Sequence, residues 1–222
     1  MKKLIVGAAA GIAILMPLVS FAAYINAGKA VTINSSQAID ENAYVAGGNV
    51  AVSSAVSGDL LAAGGTIFIS GNVSRDIMAA GGTITLSGAT AEDARIVGGT
   101  LTLGGALSGE LMAAGGQITI TPDSKITKDS YIRGGTITFN GNEAGNLDIA
   151  GGTVYIGGTI EKNLRITGTK EIVIGSGAVI NGNLEYTAPT EATIQDGAKI
   201  LGTKTFHKAE PSTSRAPVAP YR

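Results

Sequence analysis

Between residues 42 and 182 the chain returns to a glycine pair at nearly constant distance: Gly47-Gly48, Gly64-Gly65, Gly81-Gly82, Gly98-Gly99, Gly115-Gly116, Gly134-Gly135 and Gly151-Gly152. The steps are 17, 17, 17, 17, 19 and 17 residues, and Gly168-Thr169 extends the series by another 17. A unit this short has no room for a pair of helices, so each copy is expected to be one turn of a wound strand. Around each pair the apolar residues alternate, as in Ile77 and Ala79 and then Ile84 and Leu86, and a period of two is the mark of a strand. Down the copies, Val50, Ile67, Ile84, Leu101, Ile118, Ile137 and Val154 form one aliphatic column. A second runs through Val52, Ile69, Leu86, Leu103, Ile120, Phe139 and Ile156, and a shorter third face is carried by Val56, Val73, Leu107, Ile126 and Ile160. These columns predict an all-β fold, a single-stranded parallel β-helix (β-solenoid) of roughly triangular section. It has about 17 residues per coil and roughly nine coils. At one strand spacing per coil, ~4.8 Å, the rod is on the order of 40 Å long. The glycines are expected at corners, where the lack of a Cβ permits positive φ.

The flanks differ from this centre. Lys2 and Lys3 precede an apolar run over residues 4–18, and Ser20 and Ala22 place small residues on either side of Phe21. That order predicts a signal peptide over residues 1–22, cut after Ala22. The run falls short of the ~20 residues a spanning helix needs, and Pro17 interrupts it. The mature chain is therefore expected outside the cytoplasmic membrane, in the cell envelope or at the cell surface. Residues 23–41 lack a glycine pair and are expected to form an irregular first coil, with the solenoid over 42–203. Pro211, Pro217, Pro220 and the serines among them predict a flexible tail over 204–222. The absence of cysteine excludes disulfides and thiolate metal sites, and a net charge of -1 offers no footprint for nucleic acid.

Four outward columns are candidates for function. Asp59, Asp76, Asp93, Glu110 and Asp129, continued by Asn146 and Asn163, form a corner of carboxylates and amides. Bound calcium requires oxygens converging on one point rather than strung along a line, so the expected role is bonding to nearby backbone N–H groups, with no metal and no cofactor. Thr66, Thr83, Thr85, Thr100, Thr102, Thr119, Thr136, Thr138 and Thr153 set hydroxyl rows on a second face, which resemble the ice-binding face of antifreeze solenoids. Phe68, Gln117 and Tyr155 interrupt those rows, and threonine is an ordinary outward strand residue. A third column reads Tyr44, Leu61, Met78, Arg95, Met112, Tyr131, Asp148, Arg165, and its first six turns form a semi-apolar stripe suited to contact with a second rod or another partner. Beyond copies of itself, the partners expected for the chain are the cell envelope or a surface polysaccharide. Arg95, Arg133, Arg165 and Asp148 share that face as the nearest thing to an enzyme site, but no long loop walls a cleft and His207 stands alone near the end. A non-enzymatic role is expected.

Gly58-Asp59-Leu60, Gly109-Glu110-Leu111 and Gly145-Asn146-Leu147, set in these short aliphatic coils, resemble the bactofilin group of polymer-forming proteins over about residues 42–182. The resemblance implies a compact β-helix rod that joins end to end into filaments without a nucleotide and acts as a scaffold at the envelope. Bactofilins are generally cytosolic, and the predicted leader departs from that pattern. Polymerisation is also expected on physical grounds, because an uncapped solenoid end exposes unpaired strand backbone and a slice of core. Ile33 and Ile194, near the expected ends, are the candidate end contacts, and Leu61, Met78, Met112 and Tyr131 the candidate lateral one. A charge at Ile33 or Ile194 is expected to block assembly while leaving the coils folded.

Overall fold

The computed structural model describes residues 23–88 and 92–209. The predicted leader and the tail beyond residue 209 lie outside the described residues. Every helix or strand among the described residues is a strand, and all pairing is parallel, as the repeat requires. Each regular coil carries one strand of ten or eleven residues that bends at its glycine pair. In Leu60–Ile69 the buried residues are Leu60 and Ala62 before the pair, then Ile67 and Ile69 after it. The inward positions thus change from even to odd across Gly64-Gly65, and the strand turns from one face of the rod to the next there.

The paired glycines serve a different purpose from the one expected. Among the described residues only Gly105, Gly168 and Gly197 have positive φ, and none of these belongs to the seven repeating pairs from Gly47-Gly48 to Gly151-Gly152. What the pairs provide is clearance between coils. A Cβ built on Gly81 would lie 2.5 Å from the carbonyl oxygen of Gly64, and one on Gly82 would lie 2.8 Å from that of Gly65. Both obstacles are backbone, so a side chain there cannot be accommodated by a rotamer change.

Eleven strands stack along the main path, two more than the nine coils expected, because the winding passes both predicted limits. Ala23–Ile33 pairs residue for residue with Asn42–Val52, aligning Gly28 with Gly47. The first coil is therefore regular along its long strand. Its departure lies in the interior, where Tyr24 and Asn26 stand in the columns of Ala43 and Val45 and the Asn26 amide donates to the Tyr24 hydroxyl at 3.0 Å. At the other end Lys204–Lys208, expected as tail, pairs with Leu184–Ala188. The ring of Phe206 stacks on Tyr186 with centroids 5.2 Å apart. In the later coils the long strand splits, as in Leu164–Thr167 and Glu171–Ile174 around Gly168 at φ 68°.

A six-stranded sheet of two-residue strands closes the third face, running from Ala106–Leu107 to Lys199–Ile200, and Ile39, Val56 and Val73 continue it as isolated bridges. The two extra residues of the 19-residue step form a turn in which the Ser124 amide donates to the Thr121 carbonyl at 3.0 Å. Inside, the columns fill one continuous core in which Ile84, Leu101, Ile118 and Ile137 stack without solvent exposure. Burial of such side chains, ~1.5–3 kcal/mol each, is what holds the described residues, which form no helix and contain no cysteine, in this form.

Candidate interaction surface

The acidic corner acts within the chain. The Asn42 Oδ1 accepts the backbone N–H of Asp59 at 2.8 Å, Asp59 that of Asp76 at 3.3 Å, Asp76 that of Asp93 at 3.1 Å and Asp93 that of Glu110 at 2.8 Å. The ladder resumes beyond the longer coil, where Asp129 accepts from Asn146, Asn146 from Asn163 and Asn163 from Asn183. Each side chain thus ties the start of the next coil to its own, which explains why Asp and Asn interchange along the column. The Glu110 N–H, with help from Arg95, holds the Asp93 carboxyl below the ordinary carboxylate range. Among the described residues no group of His, Cys, Asp or Glu is arranged to hold a metal ion. Asn146→Ala removes the side-chain bonds to Asp129 and to Asn163, keeps the backbone one to Asp129, and is expected to cost about 1–2 kcal/mol of stability in chemical denaturation. Added calcium or chelator should leave the wild-type midpoint unchanged.

Strand register brings the apolar stripe together as a single file: Ile25, Tyr44, Leu61, Met78, Arg95, Met112 and Tyr131 are paired from coil to coil. Ile25 extends the stripe by one coil before Tyr44, and Val97 widens the file at its centre. Of the ten large hydrophobic residues exposed among the described residues, seven lie on this flank: Ile25, Tyr44, Leu61, Met78, Val97, Met112 and Tyr131. Such clustering differs from the scattered surface hydrophobes of ordinary proteins. Arg95 interrupts the file in sequence more than in space, because its guanidinium bonds Asp76 at 3.1 Å and Asp93 at 2.9 Å at the corner. Beyond Tyr131 the column turns polar through Asp148, Arg165 and Glu185.

The other candidates take definite places. Arg133 is held by Asp148 at 2.6 Å and also donates to the Asp148 carbonyl, so these two members of the suggested enzyme group are engaged with each other. The threonines lie in register, Thr83 beside Thr100 and Thr85 beside Thr102, while Phe68, Gln117 and Tyr155 stand in the same rows. Ile33 is fully buried in the first coil, so a charge there would break the coil instead of testing a contact. Ile194 is 37% exposed on the last rung of its face, and Ile200 and Phe206 are partly buried on theirs. Sequence reasoning passed over two buried polar residues, Glu143 and Ser130. The signal was available: Glu143 falls 17 residues after Ile126 and 17 before Ile160, in the aliphatic column of the short face.

The fold and this flank define a parallel β-solenoid with one apolar side, whose first and last strands each pair on one side only among the described residues. Comparison with protein-family models, with curated proteins and with solved structures found no match.

Proposed function

We propose that the protein is a structural rod that assembles with copies of itself into a bactofilin-like scaffold of the cell envelope, without catalysis or cofactor. The observation that carries this reading is the last coil. Its three rungs, Lys204–Lys208, Thr193–Ile194 and Lys199–Ile200, each pair on one side only among the described residues, and Ile194, Ile200 and Phe206 leave the end of the core partly uncovered. An unpaired edge with apolar side chains beneath it is a template for another strand layer. The first coil, with Tyr24 and Asn26 in its interior and Ile33 buried, is a poorer template. Growth beyond a pair therefore draws on the second contact that the stripe from Ile25 to Tyr131 offers, since an end-to-end pair about a two-fold axis closes on itself.

Electron microscopy and light scattering of residues 23–222 test this. Filaments or large oligomers are the expected outcome. Ile194→Lys should abolish end contacts, and Leu61→Glu with Met112→Glu should leave pairs that fail to bundle, with unaltered circular dichroism in both cases. A strict monomer at high concentration overturns the proposal.

A further inference from the structure

Two polar residues break the aliphatic columns, and they meet. Glu143 occupies the short-face column between Ile126 and Ile160, and Ser130 occupies the long-strand column between Leu111 and Leu147. Both are fully buried. The Ser130 hydroxyl donates to Glu143 Oε2 across the corner, and the Gly145 N–H donates to Oε1 at 2.9 Å. No salt bridge reaches this carboxyl among the described residues. The charged groups on the short-face turns packed against it are Asp123, Lys125, Lys128 and Asp129 before it and Glu161 and Lys162 after it, all with side chains at the surface or partly so. Of these, Asp129 opposes the carboxylate and Lys162 favours it.

We propose that Glu143 and Ser130 form a proton-operated latch inside the rod, in which the neutral carboxyl stays clasped between coils and the ionised one loosens the short face at residues 140–146. The segment is suited to local release. It is held by a two-residue rung, Asn142–Glu143, through the Asn142 and Ala144 amides to the preceding coil and the Gly141 and Glu143 carbonyls to the following one. A charge without a cation beside it cannot remain in an aliphatic column without large cost, so water must reach it.

Burial pushes the carboxyl up from an ordinary 4.5 to about 7, against the bonds from Ser130 and Gly145 that favour ionisation. The folded chain therefore keeps a proton that the unfolded chain has released. The added stability is complete below about pH 4.5 and disappears as pH rises through about 7. Acid surroundings tighten the rod, and neutral to alkaline ones loosen it at one coil.

Hydrogen exchange of the full chain, corrected for intrinsic rates, tests this at the amides of residues 142–146 between pH 5 and 8. Their protection is expected to fall by about a hundredfold across that range. Glu143→Gln, which keeps the shape and cannot ionise, its amide oxygen accepting from Gly145 and its amide nitrogen donating to the Ser130 oxygen, should show flat protection. In parallel, carboxyl carbon resonances of wild-type protein should place Glu143 titration near neutrality, a measurement that needs no variant to fold. Titration in the ordinary glutamate range, or equal pH profiles for wild type and Glu143→Gln, overturns the latch.

Discussion

Phe139→Ala is expected to be the most damaging single truncation in the rod, lowering stability by about 3–5 kcal/mol. Phe139 is fully buried in the second aliphatic column, with Ile120 and Ile156 as its register partners on the coils below and above. Those neighbours belong to rigid strands bonded on both sides, so the space left by the ring cannot close by collapse, and the cavity cost adds to the lost transfer energy. Chemical denaturation monitored by circular dichroism measures the total. Exchange of the amides flanking Phe139, Ile120 and Ile156 should show the loss concentrated there, because a solenoid coil contacts only its neighbours. A loss under ~1 kcal/mol would mean that the columns are looser than their burial indicates.

Gly81→Val is expected to cost at least ~3 kcal/mol, more than overpacking usually does. The new Cβ meets the Gly64 carbonyl at 2.5 Å and the Ile67 Cδ1 at 3.1 Å, and the carbonyl cannot rotate away without breaking the sheet. Gly168 supplies the contrast. It has φ of 68° and nothing within 4 Å of a built Cβ, so Gly168→Asn should be nearly neutral. Thermal melts of the two variants separate the reasons for glycine in this chain. If Gly168→Asn proved the worse, conformational freedom rather than clearance between coils would govern the repeat.

Much of the architecture was legible because a solenoid writes its core as columns at fixed spacing. The glycine pairs gave the period, and the residues from Val50 to Val154 and from Val52 to Ile156 gave two of its faces. The role of the glycines was not legible, since steric approach between coils and positive φ leave the same letter in the sequence. The end coils were hidden for a related reason. Residues 23–33 carry Gly28-Lys29 in place of a pair, and residues 204–208 carry Lys204 where the three preceding coils have leucine, so the sequence pattern fades there although backbone register persists. The stripe could be read from the outward positions, but the sideways placement of Arg95 depends on two aspartates on neighbouring coils. Glu143 and Ser130 were legible only as gaps, 13 residues apart, and their meeting required the closed corner to bring them together.

The uniform register has a genetic side. Leu60 aligns with Ile77 and Asp59 ends its corner as Asp76 does, so a block of 17 codons removed or duplicated between those points rejoins like to like. A block gained or lost there would change the length by one coil and displace everything downstream by ~4.8 Å. The reach of such a rod would scale with its number of coils.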